Sequence, residues 1–288
     1  MAHERENTLL PVVSPTVPAV APSSFSPLLR EWRQHRRLSQ LTLAVEAGVS
    51  QRHLSFLESG RATPSRAMVL HLAEALEVPL RVRNEWLVAA GFAPVFRSSP
   101  LDDPQMRQVL SAVRRILASH EPFPAVAVDR AWNVRLTNEP FERLFALLGD
   151  DLWTRVGGTS RNLARLFFHP AGLRPFVANW RSAAPLLWQR AQREAAASAG
   201  GEMQALIDEL APSVDAETRS GPEDAPLLPV LPLVLERDGL RLSLFSVIAT
   251  FGTPQDVTTD ELRIESLFPA DETTEALLRG LGGAEKPT

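Results

Sequence analysis

The sequence predicts two domains: an all-α domain of five short helices, then an α+β domain with about five antiparallel strands. Three observations lead to this fold class. The chain has 288 residues and is 44% apolar, which is enough to bury more than one typical core. Apolar residues follow a helical period up to about residue 91 and include strand-like alternation afterwards. Residues 1–97 carry 11 basic and 8 acidic side chains, whereas the remaining 191 carry 19 and 26, so the two parts suit different roles.

The domain boundaries follow from prolines and from changes in periodicity. Residues 1–24 contain scattered prolines and no period, which predicts a disordered tail. The front domain is expected at 25–97 and the rear domain at 102–280, with a second disordered tail at 281–288. The five front helices are predicted at residues 27–36, 40–47, 51–58, 66–77 and 80–90.

The rear domain begins with a helix over Asp103–His120, whose apolar residues share one face. Two apolar runs then flank a turn within Ala125–Asn138, which predicts two strands. Asp238-Gly239 lies between two longer apolar runs and is a strong hairpin signal. Glu261–Phe268 alternates as a further strand, and Asp271 opens a final helix. Together these patterns predict a mixed α+β domain.

The stretch VSQRHLSFLESGRATPS encodes a short helix with well-defined ends. Ser50 can cap its N-terminus, and Gly60 suits the left-handed position after its last turn. The preceding helix repeats the design, with Ser39 as its cap and Gly48 at its end. Two short capped helices joined by a tight turn at Gly48 are typical of a helix-turn-helix.

The second of these helices has two different faces. Leu54 and Leu57 form a narrow apolar seam, because residues three apart lie on one side of a helix. The opposite side can bind bases, since Gln recognises adenine, Arg recognises guanine, and an apolar group can contact a thymine methyl. The candidate base-reading residues on that side are Gln51, Arg52, Ser55 and Phe56.

Residues 27–90, with SQLTLAVEAGVSQRHLSFLESGRATPS at their centre, resemble the phage-repressor-type (XRE) helix-turn-helix family. The resemblance implies double-stranded DNA as the partner, with base contacts from the side chains just named. It also implies phosphate contacts by Gln40 and Arg61, which occupy the positions that contact phosphates in that family. The sequence departs at Phe56, where the family often has a longer polar residue.

Leu41 and Val45 also depart from this family, which is usually polar at both positions. Exposed apolar side chains there favour a dimer or an interdomain contact. A homodimer is expected on independent grounds, because one two-turn helix reads only a few base pairs. Two copies that bind half-sites about 34 Å apart on the duplex multiply their individual preferences for the correct sequence.

Several classes of function are disfavoured by composition and spacing. The chain has no cysteine, which excludes disulfides, thiolate zinc sites and cysteine nucleophiles. Its six histidines form no metal-binding or catalytic motif, and GxSxG and phosphate-binding glycine loops are absent from the sequence. We therefore expect no enzymatic activity, no catalytic residue and no cofactor. Without a secretory signal or an apolar run of about 20 residues, the protein is expected in the cytoplasm, with the nucleoid.

An acidic group near the end of the rear domain could hold a metal ion, since carboxylates bind hard cations. It comprises Asp256, Asp260, Glu261 and Glu265. On an alternating strand, however, Glu261 and Glu265 would flank Arg263 on the solvent face. An ion-paired ladder is therefore the favoured interpretation, and no metal site is predicted.

The rear domain is rich in Phe and Trp, most of which are expected to fill its core. A sheet covered by helices can also leave an apolar cavity between the layers, which is the usual form of a small-molecule site. Arg174, Asn179 and Trp180 are candidate ligand contacts, because Arg suits a carboxylate head group and the three residues lie close in sequence.

The segment AVAVDRAWNVRLTNEPFERLFALLG resembles the opening of a PAS-like domain. Two longer motifs, Asn162–Trp180 and Phe251–Asp271, are similar to the ligand-binding domain of MmyB-like transcription regulators. This resemblance implies a bacterial transcription factor whose rear domain binds a small apolar or acyl-chain ligand, such as a fatty-acid-like molecule. The alternative is a DNA-binding protein whose rear domain is a ligand-free dimerisation or partner-docking module.

Overall fold

A computed structural model of the chain describes most of its length, namely residues 25–158, 161–196, 201–220, 229–230 and 232–282. The predicted N-terminal tail, residues 1–24, lies outside the described residues. The predicted C-terminal tail overlaps the end of the last helix by two residues, and its remainder, 283–288, also lies outside them.

The chain divides into two compact units. The first contains the residues up to Val78 together with Glu85–Ala93. The second contains Pro79–Asn84 and the residues from Pro94 onward. The boundary therefore crosses a helix, whose first turn groups with the second unit.

Helices form the regular secondary structure of the described part of the first unit, as the sequence predicts. Their bounds are α1 (Phe25–His35), α2 (Gln40–Glu46), α3 (Gln51–Glu58), α4 (Arg66–Ala75) and α5 (Leu80–Ala89). The core of this unit is fully buried at Leu29, Leu43 and Leu54. Trp86 of α5 closes it, with the Phe25 ring 5.5 Å away in an edge-on contact. No helix of this unit could stand alone in water, so packing on this core holds them.

In its described residues, the second unit combines nine α-helices with one sheet. The helices are α6 (Arg107–Ser119), α7 (Glu139–Leu148), α8 (Leu152–Val156), α9 (Leu163–Phe168), α10 (Trp180–Ala196), α11 (Glu202–Leu210), α12 (Ala216–Ser220), α13 (Val257–Glu261) and α14 (Glu272–Gly282). Asn138 caps α7 by accepting a hydrogen bond from the Phe141 amide at 3.1 Å. Pro185 lies inside α10, where it removes one helical hydrogen bond.

The sheet has five strands, all paired antiparallel, in the order β2-β1-β5-β4-β3. Their bounds are β1 (Ala125–Val128), β2 (Val134–Thr137), β3 (Leu233–Arg237), β4 (Leu240–Ala249) and β5 (Arg263–Pro269). The predicted hairpin joins β3 to β4. Asp238 and Gly239 both have positive φ, 50° and 81°, as the two central residues of a type I′ turn require.

Helices cover both faces of this sheet. On one face, Val113 and Leu117 of α6 pack against Ala127 and Ile264. The larger core lies on the other face, where the aromatic side chains predicted from the sequence are buried. It includes Trp132, Phe141, Phe168 and Trp188. Within the described residues, no helix combines the length and the apolarity needed to cross a bilayer.

The prediction of a solvent-facing acidic ladder at Glu261–Glu265 is wrong. Glu261 ends α13 instead of lying on the strand, and it is only 9% exposed. Glu265 lies on β5 and is also 9% exposed, because both faces of the sheet are covered. Its carboxylate forms an ion pair with Arg190 of α10, inside the unit. Alternation along a strand indicates two faces, but it does not tell which one meets water.

Candidate functional site

The turn between α2 and α3 has the geometry that its sequence predicts. Ser39 caps α2 by accepting from the Thr42 amide at 3.0 Å, and Ser50 caps α3 by accepting from the His53 amide at 3.2 Å. Gly48 ends α2 with a φ of 59°, a conformation that side chains rarely adopt. The Val49 amide then donates to the Ala44 carbonyl at 2.9 Å, which completes a Schellman motif.

Helix α3 buries a single narrow side. Leu54 and Leu57 are fully buried, whereas Gln51 and Arg52 are exposed. The four predicted base-reading side chains are Gln51, Arg52, Ser55 and Phe56, of which the last two are half-buried. The structure therefore brings these residues together on the outer side of α3.

The Phe56 ring is a platform on which two guanidinium groups pack, a contact that the sequence analysis did not predict. The guanidinium of Arg52 lies 5.3 Å from the centre of the Phe56 ring, and that of Arg61 lies 6.0 Å from it. Both distances permit cation–π attraction. The signal available in the sequence was the i, i+4 spacing of Arg52 and Phe56 on one helix. The ring thus holds a candidate base reader and a candidate phosphate contact next to each other.

A buried ion pair fixes α3 against its neighbours. The guanidinium of Arg33 binds both carboxylate oxygens of Glu58, at 2.6 and 2.9 Å, and the Glu58 side chain is only 3% exposed. Gln40 donates its amide to the same carboxylate at 2.8 Å. Burial by itself would raise the pKa of Glu58, but the hydrogen bonds from Arg33 and Gln40 outweigh it and hold that pKa below its ordinary value.

Gln40 therefore has a structural contact at one of its amide hydrogens. Its second amide hydrogen and its oxygen remain outside that bond, and its contact with phosphate stays a prediction.

Leu41 and Val45, on the same helix α2, are 57% and 72% exposed. That exposure matches the expectation from the sequence and gives α2 an apolar outer surface.

A cavity of about 200 Å³ lies in the second unit, between the sheet and the helices α7, α9 and α10. Most of its lining is apolar and comes from both layers, including Val126, Phe141, Leu166, Phe167, Leu187 and Leu244. Leu186 of α10 and Ser246 of β4 are the exposed residues in this lining, so the cavity opens between these two elements. The arrangement is typical of a site for a small apolar molecule.

The polar part of the cavity is a small network around Arg190. Its guanidinium forms ion pairs with Glu194, at 2.8 Å, and with Glu265, and it lies 4.5 Å from the centre of the Trp132 ring. The indole N–H of Trp132 donates to Glu194 at 2.6 Å. Burial tends to lower the pKa of Arg190, but the carboxylates of Glu265 and Glu194 outweigh it and raise that pKa above its ordinary value.

Arg174, Asn179 and Trp180 are not among the described residues that line this cavity. Arg174 forms an ion pair with Asp215 at 3.0 Å and stacks over the Trp180 ring at 5.0 Å. Asn179 holds β3, because it donates to the Pro232 carbonyl at 2.7 Å and accepts from the Val234 amide at 2.9 Å. Their role in ligand binding stays a prediction.

Trp180 lies behind the cavity wall, although it does not line the cavity. Its indole N–H is buried and has no hydrogen-bond partner among the described residues. Its ring stacks on that of Phe167, which does line the cavity, with the ring centres 5.1 Å apart. Trp180 therefore supports the cavity wall from behind.

A larger cavity of about 590 Å³ in the same unit has a different character. Its lining carries charged groups that pair with one another, as Arg135 does with Asp129 at 2.6 Å. Such a cleft suits water better than an apolar molecule. The smaller cavity is therefore the better ligand site.

Comparison with known proteins identifies both parts of the chain. A helix-turn-helix family model matches residues 29–82, which contain α2 and α3. A second model, described as the MmyB-like transcription regulator ligand binding domain, matches residues 109–281. This match covers more than half of the chain, so the protein belongs to the MmyB-like transcription regulators.

A relative from Bacillus subtilis (strain 168) is the "Uncharacterized HTH-type transcriptional regulator RghRB". It is 39% identical over 75 residues, which are 26% of this chain and 52% of the relative. The chain thus spans about half the length of the curated relative that it matches.

Proposed function

We propose that this transcription regulator reads a specific DNA sequence in the major groove through α3, and that a small apolar ligand in the second unit modulates its activity. An acyl-chain molecule is the ligand type that the family suggests and that the apolar lining suits. The proposal includes a homodimer on DNA, with each copy contacting one half-site. If the ligand binds one of two conformations of the regulator more tightly, it shifts the population toward that conformation and thereby changes DNA binding.

The observation that carries the DNA part is the division of α3 into a buried seam and an outer side that holds Gln51, Arg52 and Phe56. Gln and Arg are the side chains that form paired hydrogen bonds with adenine and guanine. Phe56 orients the guanidinium of Arg52 before any base is bound. Such pre-organisation lowers the ordering cost of the contact.

The DNA part is tested by selection of duplexes from a random library at physiological salt. We expect one enriched motif made of two related half-sites about one helical turn apart. A protein that enriches no motif would contradict sequence-specific reading. Size-exclusion chromatography with light scattering should then show two chains on each selected duplex, and a single chain per duplex would contradict the dimer.

The apolar cavity supports the ligand part over the alternative, in which the second unit is a filled dimerisation or docking module. Native mass spectrometry of the protein purified from its own host distinguishes the two. We expect a co-purifying small molecule that is lost on denaturation. Protein of bare chain mass in every preparation would favour the ligand-free module.

A further inference from the structure

The helix α6 carries a concentration of positive charge. Between Asp103 and Glu121 the chain has three arginines, Arg107, Arg114 and Arg115, and no acidic residue. All three arginines are exposed. The residues from 98 onward are acidic as a whole, with 19 basic against 26 acidic side chains. The charge of α6 therefore differs in sign from that of the rest of this part of the chain.

Helical geometry brings these charges to one side of α6. The three arginines share a stripe of the helix with Ser111 and Ala118, because these positions recur at intervals of three and four residues. Val113 and Leu117 lie on another side, where they are buried against the sheet. On the outer stripe, the small side chains between the long arginines leave an open hollow of about 310 Å³.

The arginines of α6 have no carboxylate partner within the described residues. Arg107 donates its Nε to a backbone carbonyl at 3.2 Å. In the same part of the chain, the side chains of Arg114 and Arg115 form neither an ion pair nor a hydrogen bond. Arginines elsewhere in this unit commonly pair with carboxylates, as Arg143 does with Glu139 at 2.7 Å. The outer side of α6 is therefore a positive surface whose charge is not compensated locally.

We infer that this side of α6 binds the phosphate backbone of the DNA that α3 is proposed to read. The inference rests on the proposed DNA-binding function and adds a second contact surface to it. Guanidinium groups and serine hydroxyls are common phosphate contacts in protein–DNA complexes. Arg107 and Arg114 lie about 10 Å apart along the helix axis, and a duplex presents about six phosphate charges over that length.

Two arguments favour DNA over a membrane surface as the partner. A helix that lies on a bilayer presents large apolar side chains beside its charges. Between these arginines, however, the outer side holds Ser111 and Ala118, and Leu110 at the edge of the hollow is half-buried. DNA bound by the first unit is also tethered to α6 through one polypeptide, which raises its effective concentration there. Even a weak phosphate contact by α6 then adds to the affinity for DNA.

The experiment measures how DNA binding by the full-length protein depends on salt. Arg114→Gln combined with Arg115→Gln removes two exposed charges and keeps residues that favour a helix. Fluorescence anisotropy uses a selected duplex and a scrambled duplex of the same length. The slope of log affinity against log salt should become shallower than that of the wild type by about two units. Both duplexes should weaken by the same factor, because phosphate contacts carry no sequence information.

Two matched variants separate the contact from folding and from overall charge. Arg114→Lys combined with Arg115→Lys retains both charges and should retain most of the wild-type slope. Arg155→Gln combined with Arg279→Gln removes the same charge from two exposed i, i+4 ion pairs, and it should leave the slope unchanged. A Lys variant with as shallow a slope as the Gln variant, or an equal loss in the ion-pair variant, would overturn the inference.

Failure of this inference can be told apart from failure of the proposed function. Wild-type protein that binds neither duplex would reject the proposed DNA reading and this inference together. Wild-type protein that binds DNA, with an unchanged slope in the α6 Gln variant, would reject this inference alone. Sedimentation with phosphatidylglycerol vesicles that requires Arg114 and Arg115, beside an unchanged slope on DNA, would overturn it in favour of a membrane surface.

Discussion

The two units use buried ion pairs in different ways. In the first unit, Arg33 and Glu58 join α1 to α3 with three charge-assisted hydrogen bonds, counting that from Gln40, and Glu58 also borders an open groove. In the second unit, Arg190 and Glu265 border a cavity. The first pair positions the outer side of α3, which holds the proposed DNA contacts, and the second pair is itself part of a candidate ligand site. Open space beside a buried charge pair therefore does not by itself indicate a ligand site, and the mostly apolar lining around Arg190 and Glu265 is what distinguishes the second pair.

The largest effect is expected from breaking the structural pair. Glu58→Gln leaves the Arg33 guanidinium buried without its carboxylate, which should destabilise the helices around α3 by about 3 kcal/mol. Hydrogen exchange of peptides from α1 and α3 measures this change in the first unit. Glu77→Gln is the matched control, because Glu77 pairs with Arg36 at the surface and should have little effect.

The pH dependence of the same pair has a defined sign. The pKa of Glu58 is lowered on folding, so its contribution is complete above its ordinary value of 4.5 and is lost as the pH falls through the lowered pKa. Wild-type protein should therefore lose protection in α3 below about pH 4.5. Glu58→Gln should remove this part of the acid sensitivity, and an unchanged pH profile would contradict the role of the pair.

The cavity pair is tested by filling the space beside it. Ala183→Leu on α10 adds bulk to a residue that lines the cavity, and it should abolish ligand stabilisation. For the wild type, that stabilisation is about 2.7 kcal/mol at a ligand concentration of 100 Kd. Thermal melts of the variant and of the wild type, both purified from the protein's own host, measure the loss. Ala196→Leu makes the same change on the exposed end of α10 and should retain the full shift.

A smaller effect, on DNA affinity, is expected from removing the Phe56 ring on the outer side of α3. Phe56→Ala removes the ring under Arg52 and Arg61, each contact contributing about 0.5–1 kcal/mol at an exposed position. Affinity for a selected duplex should fall by about 1–2 kcal/mol in fluorescence anisotropy. Phe56→Tyr keeps an aromatic ring and should retain most of the affinity. A Tyr variant as weak as the Ala variant would show that the ring does not act as a platform.

The smallest effect is expected at the predicted phosphate contact. Arg61→Ala should weaken all duplexes alike, and the slope of log affinity against log salt should become shallower by about one unit. Titrations of a selected and a scrambled duplex at several salt concentrations give both quantities. A loss confined to the selected duplex would contradict the phosphate assignment.

The placement of Gln51 and Arg52 on the outer side of α3 could be predicted from the sequence because it depends on local order. Caps at Ser39 and Ser50 and the turn at Gly48 fix where α3 begins, and helical spacing then fixes which side chains share a face. The contact between Arg61 and the Phe56 ring could not be predicted from the sequence. Arg61 lies beyond the end of α3, where helical spacing no longer indicates which way a side chain points.

The cavity depends on long-range packing, and its residues could not be read in the same way. Glu265 was expected to face water, yet it meets Arg190, which is 75 positions away in sequence. The predicted ligand contacts Arg174 and Asn179 lie close together along the chain, but Arg174 binds Asp215 and Asn179 binds β3. Which polar groups border a cavity is set by how the layers close over each other, and periodicity does not encode that.

The most direct test of the account is a duplex selection with Arg52→Ala beside the wild type. The account predicts that the variant enriches the same motif with one base position in each half-site relaxed, and that it binds the wild-type motif about 1–3 kcal/mol more weakly. A variant whose motif is unchanged at every position, or whose affinity falls equally on selected and random duplexes, would contradict base reading by the outer side of α3.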